Sequence, residues 1–97
     1  MMHPNSLTLV TTPAQLSRDD VDFTRGDRAT VTCDGNDVSG IFVEADTGDG
    51  NRGEGWVDVY VTHDSKVLLN DKGEPTLFRL RGEVVIIHEK RRERVAL

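Results

Sequence analysis

Apolar and polar positions begin to alternate in this chain after residue 27. Ala29, Val31 and Cys33 alternate with Thr30 and Thr32, the period of two expected of a strand with one buried face. Asp34-Gly35-Asn36-Asp37 follows as a turn cluster. Residues 38–45 predict a second strand, and Gly40 inside it marks a sharp bend or a close backbone contact. A sheet that curls into a small barrel needs such bends. In a third strand Val57, Val59 and Val61 share one face, with Trp56, Asp58 and Tyr60 on the other. Two last runs, residues 76–81 and 83–89, meet at Arg81-Gly82 with almost no turn between them. Glycine permits backbone angles that a side chain forbids, so the corner predicts a hinge between strands.

The remaining segments punctuate these runs. Residues 46–55 hold Gly48, Gly50, Gly53 and Gly55 and little that can pack, which predicts an exposed loop. Thr62-His63-Asp64-Ser65 is a break, and Asn70 to Pro75 is a turn. Val67-Leu68-Leu69 between them either extends a strand or packs across a barrel end. Near the N-terminus, Thr12-Pro13-Ala14-Gln15 fits a capping box, with Thr12 as N-cap and Pro13 at the first helical position. It predicts a short helix within residues 12–20. Leu7-Thr8-Leu9-Val10 reads as a short strand or an ordered arm. The charged residues 90–97 read as a solvated tail.

Together these elements predict an all-β fold: a small, strongly bent, five-stranded barrel with a short N-terminal helix. The organisation expected is one domain over residues 1–97, with an arm (1–11), the helix (12–20), the barrel (27–89) and the tail (90–97). A chain of 97 residues suits one domain. A domain of this size buries somewhat over ~60% of its unfolded surface, enough for a modest core.

Charge narrows the partners. Acidic residues number 17 against 12 basic, a formal charge of -5. That is poor for non-specific duplex binding, which depends on many phosphate contacts. It leaves room for a local basic site. No basic stretch followed by a long apolar one opens the chain, and no apolar run reaches the ~18 residues that span a bilayer. The expectation is a soluble protein, cytoplasmic or associated with a virion, with no membrane partner.

Candidate chemistry is sparse. Cys33 is the one cysteine, so neither an intrachain disulfide nor a Cys-x-x-Cys zinc site is available. Its alternation with Val31 puts it in the core. His3, His63 and His88 lack metal-ligand spacing and read as surface histidines. Asp46-x-x-Asp49-x-Asn51 lacks the ligand ladder of a calcium loop. Arg25-Gly26-Asp27 makes the turn into the first strand. Trp56 and Tyr60 share a face and read as packing or contact surface. No nucleophile, acid–base pair or metal set has usable spacing. The chain is expected to be non-enzymatic, without cofactor, metal or small-molecule substrate.

Two stretches resemble the Sm-like family, which includes the bacterial RNA chaperone Hfq. The first is residues 29–46: an alternating strand, the Asp34-Gly35 turn, Gly40 in the second strand, and Asp46 entering the next loop. The second is Leu80-Arg81-Gly82-Glu83-Val84-Val85-Ile86-Ile87. The capped N-terminal segment sits where that family places a helix.

The resemblance implies a ring in which strands four and five of neighbouring copies pair edge to edge. Val84, Val85, Ile86 and Ile87, apolar on both faces, would form that interface. It also implies single-stranded RNA in the ring pore, contacted by Arg81 and Gly82 and by the loop after strand two, here Asp46, Asn51 and Arg52. That loop carries no aromatic to stack on a base, and such stacking supplies much of sequence-tolerant single-strand binding. The alternative implied by small barrels of this kind is a structural or assembly protein of a phage particle, of neck or tail-completion type, without nucleic acid.

Overall fold

Two four-stranded antiparallel sheets carry the fold, in a computed structural model that describes residues 6–48 and 54–93. The first sheet contains β1 (Ser6–Thr11), β3 (Arg28–Cys33), β4 (Asn36–Asp37) and β10 (Val84–Glu93), in the order β1-β10-β3-β4. The second contains β2 (Gln15–Ser17), β5 (Phe42–Asp46), β6 (Gly55–Tyr60) and β9 (Leu77–Gly82), in the order β2-β5-β6-β9. A small hairpin, β7 (Thr62–His63) with β8 (Lys66–Val67), lies on the connection from β6 to β9. The all-β expectation holds. The closed barrel does not, because among the described residues no ladder joins the two sheets into a cylinder. Among the described residues no helix is long and apolar enough to cross a membrane.

The core forms where the period of two turns apolar side chains inward. Val31 and Cys33 of β3, Ala45 of β5, Val57 and Val59 of β6, and Val84 and Ile86 of β10 are all buried. Phe42, Ile86, Val31 and Val57 are the largest fully buried side chains. Burying such a side chain contributes about 1.5–3 kcal/mol relative to exposure. Cys33 packs as expected, and burial pushes its thiol pKa upward.

The hairpin from β3 to β4 is built as its sequence dictates. Cys33 pairs with Asn36, and the two residues between them, Asp34 and Gly35, have φ of 50° and 82°. Positive φ at both central positions is the type I′ turn, which suits the twist of paired strands and favours Asp-Gly.

The predicted second strand is broken in two. β4 ends at Asp37, and the chain turns through Val38–Ile41 before β5 starts at Phe42. Ile41 N–H and Phe42 N–H both donate to Val38 C=O, at 3.0 and 2.9 Å. The bend carries the chain from the first sheet to the second. Gly40 itself has open space where a Cβ would lie, so the bend does not depend on a close contact there.

Arg18 closes the bend. Its Nη2 donates to Ser39 C=O at 2.5 Å and its Nε to Phe42 C=O at 2.6 Å. Its guanidinium lies 4.7 Å from the Phe42 ring centroid and 5.5 Å from that of Phe23. A bend frees carbonyls from the ladder, and a charged donor that meets them offsets the loss.

Three expectations are corrected. Residues 12–20 form no α-helix: Gln15–Ser17 is β2, and Arg18–Asp20 is a single 3₁₀ turn. A short isolated helix is marginal in water. Here the edge of β5 takes the backbone instead, with Leu16 opposite Ala45 and both buried. Secondly, the solvated tail begins too early, since Lys90–Glu93 continue β10 and pair with β1. Residues 94–97 lie outside the described residues. Thirdly, His88 is not a surface histidine. It is only 3% exposed, on the same face of β10 as Val84 and Ile86.

His88 shares its buried site with Asp27, also 3% exposed. Asp27 Oδ1 accepts from Arg91 N–H at 2.9 Å and from Arg92 Nη1 at 3.2 Å. Its Oδ2 lies 3.9 Å from His88 Nε2, which has no hydrogen-bond partner among the described residues. The Arg91 N–H, with the charge of Arg92, holds the Asp27 carboxyl below the usual carboxylate range despite burial. The cluster ties the residue before β3 to the C-terminal half of β10.

Candidate functional site: the Arg81-Gly82 corner and its open edges

At Gly82 the chain leaves one sheet and, one residue later, enters the other. Two glycines make room for this. Gly82 pairs with Gly55 across β9 and β6. A Cβ on Gly55 would lie 2.9 Å from the Val84 side chain, and one on Gly82 would lie 2.6 Å from Asp34 Cγ. Asp34 also binds the corner directly. Its N–H donates to Glu83 C=O at 2.9 Å, and Glu83 N–H donates to Asp34 Oδ1 at 2.8 Å. The Asp34-Gly35 turn thus clamps the corner 49 residues further on.

The corner leaves two strand edges open. Among the described residues β9 pairs with β6 on one side and with no strand on the other. β10 is paired along residues 84–89 by β3 and along 88–93 by β1, so no other described strand pairs with the second edge of residues 84–87. β1 stops opposite His88, two residues before Pro13. Proline has no N–H to donate and ends the ladder there.

Apolar side chains flank these edges. Leu77 is 46% exposed, Phe78 59% and Val85 44%. Phe78 pairs with the buried Val59, so its side chain points to the core side of the sheet and still finds no cover. The four predicted interface residues therefore divide: Val84 and Ile86 fill the core, Ile87 is half-buried, and Val85 is exposed.

The predicted nucleic-acid residues also divide. Gln15, Asp46, Trp56 and Arg81 follow one another across β2, β5, β6 and β9 in a single cross-strand row. Arg81 is exposed and makes no side-chain hydrogen bond or ion pair among the described residues. Asp46 is occupied: its Oδ2 accepts from Gln15 Nε2 at 2.8 Å and its Oδ1 from Gly48 N–H at 2.6 Å. Asn51 and Arg52 lie outside the described residues.

Arg79 on the same face is a residue that the sequence did not single out. Its Nε and Nη2 grip the two oxygens of Asp58 at 2.8 and 3.0 Å. Its guanidinium covers the Trp56 ring at 3.8 Å from the centroid. The Arg79 hydrogen bonds hold the Asp58 carboxyl below its ordinary pKa, with Arg81 adding a smaller effect. Trp56 therefore spends its ring on Arg79 rather than presenting it to a ligand. Beside it a shallow groove of about 420 Å³ is bordered by Asp20, Glu44 and Asp46. Among the described residues no three His, Cys, Asp or Glu side chains are grouped as metal ligands.

No protein-family model matches this chain, and neither a curated protein nor a solved structure matches it.

Proposed function

We propose that this chain is a non-enzymatic, Sm-like module that assembles into a ring, the free edge of β9 in one copy pairing with residues 84–87 of β10 in the next. The observation that carries the reading is the pair of open edges at the corner. If β4 and β5 count as one bent strand, the strands run β1-β10-β3-β4/β5-β6-β9, with β9 at one end and, at the other, β1 covering only residues 88–93 of β10. A sheet bent back on itself in that order leaves β9 and β10 short of partners. Unpaired N–H and C=O groups on an edge must be covered or paired. Leu77, Phe78 and Val85 beside them supply apolar surface for a neighbour to bury.

Two versions of the ring differ in what they hold. In the first, single-stranded RNA lies in the pore and Arg81 meets its phosphates. In the second, the ring is a structural part of a phage particle and binds no nucleic acid. The environment of Trp56 favours the second. Its ring is covered by Arg79, Arg79 is paired with Asp58, and Asp20, Glu44 and Asp46 line the adjoining groove and would repel phosphate. Arg81 is the one feature that favours the first.

Native mass spectrometry of the purified protein, with and without a short RNA, separates these outcomes. A closed oligomer of defined mass without RNA is expected. A monomer at high concentration overturns the assembly reading. RNA-bound oligomers that disappear in Arg81→Ala, with a steep salt dependence, would select the RNA version.

A further inference from the structure

We propose, on the basis of that assembly reading, that β1 is an exchanged strand: in the assembled protein, β1 of one copy pairs with residues 88–93 of β10 in a neighbouring copy. β1 contributes nothing to the core. Leu7 is half-buried and residues 8–11 are exposed, with Leu9 at 49% and Val10 at 63%. Among the described residues, what holds β1 is main chain: the rungs from Ser6↔Glu93 to Thr11↔His88, with one long side-chain bond from Thr11 Oγ1 to His88 C=O at 3.4 Å. Residues 90–93 of β10 in turn pair, among the described residues, with no strand other than β1. A two-stranded ribbon without a packed face is marginal in water, so this one opens at low cost.

β2, three residues further along, is anchored. Leu16 is buried, Gln15 binds Asp46, and Thr47 N–H donates to Ala14 C=O at 2.9 Å. Between the anchored strand and the unanchored one lie only Thr12, Pro13 and Ala14. Proline fixes its own φ and restricts the residue before it, so the hinge is short and stiff. A short hinge that cannot fold back freely favours passage of an element to a neighbour.

The partner is identified by register. The sequence that would lie on a neighbour's residues 88–93 is the one that already fits the same residues within the chain, rung for rung. Exchange conserves every ladder bond. Once the β9 and β10 edges hold two copies together, the event is intramolecular and needs no new affinity. Leu9 and Val10 then lie at the boundary between copies rather than on one body's surface.

Paired cysteines test this in the full chain. The variants Thr8→Cys with Arg91→Cys, and Leu9→Cys with Lys90→Cys, lie on adjacent rungs. Hydrogen-bonded and non-hydrogen-bonded pairs alternate along an antiparallel ladder, so the two variants sample both spacings for a disulfide. Cys33 is buried with a raised thiol pKa and takes no part. Each variant is equilibrated in a glutathione redox buffer. The assembled fraction is then run on a non-reducing denaturing gel. Covalent dimers or a ladder of higher masses are expected. Cross-linked chains of monomer mass alone, from an assembled fraction, overturn the exchange and leave the edge pairing intact. Absence of any assembled fraction by light scattering overturns the edge pairing and the exchange with it.

Discussion

Asp34 and Glu83 are bonded to each other in both directions, Asp34 N–H to Glu83 C=O and Glu83 N–H to the Asp34 carboxylate. The pair locks a hairpin turn to the point where the chain changes sheets. Gly82 sits against the same carboxylate. Gly82→Ala should therefore push Asp34 out of place and cost about 1–3 kcal/mol, the usual range for overpacking. In a chain that already carries Asp34→Gly, the same substitution should cost less. A double-mutant cycle by chemical denaturation should return a coupling of about 0.5–3 kcal/mol between the two sites. Additive effects would show that the carboxylate does not shape the corner.

Arg18 should matter more for stability than its position in a polar stretch suggests. Arg18→Ala leaves the Ser39 and Phe42 carbonyls without their charged donor. A hydrogen bond to a charged group contributes about 1.5–3 kcal/mol, and thermal unfolding should show a loss of that order. Arg18→Lys should recover only part of it, because one ammonium cannot reproduce the fixed fork that spans both carbonyls.

The Asp27 cluster predicts an acid limb in stability. Its carboxyl pKa is lowered from 3.8 in the folded chain by the Arg91 N–H and then by Arg92. A carboxyl with a depressed folded pKa contributes stability that is full above its unfolded value. That contribution is lost as pH falls through the folded value. Denaturation measured from neutrality to below 3.8 should show the native chain losing its advantage over Asp27→Asn as acid is added. The variant's own limb should be flatter but not flat. Asp22, Asp37 and Asp58 are also depressed and remain in it. Parallel curves for the two proteins would remove Asp27 from the account.

Phe78 and Val85 should separate assembly from folding. Both are exposed beside open edges. Phe78→Lys and Val85→Lys should each shift the protein to monomer in analytical ultracentrifugation while changing stability by no more than about 0.5 kcal/mol, as surface substitutions usually do. A marked drop in unfolding midpoint with unchanged mass would mean that these side chains serve the fold and not a neighbour.

Much of the fold was legible because its causes are local. Period two placed Val31, Cys33, Val57 and Val59 inward, and Asp34-Gly35 marked the hairpin. The same period also carried a signal about His88, which stands two and four residues after Ile86 and Val84 on the buried face. Nothing near Arg18 or Arg79 announced their roles. Their partners, Ser39 and Phe42 for one and Asp58 and Trp56 for the other, lie about 20 residues away in the chain.

The sequence alone determined which residues face inward and where the chain reverses, because side-chain alternation and turn chemistry act over a few residues. Tertiary structure alone decided which backbone edges found partners. Residues 12–20 carry a capping box, yet Gln15–Ser17 became a strand, because the free edge of β5 offered a ladder and a place to bury Leu16. Residues 90–93 look like a tail yet extend β10, because β1 lies alongside. The edges of β9 and of residues 84–87 stayed open because Pro13 ends one ladder and Gly82 turns the chain out of the other sheet. Hydrogen bonds between strands are satisfied by whatever segment is nearest in space, and nearness in space is not written in any short window of sequence.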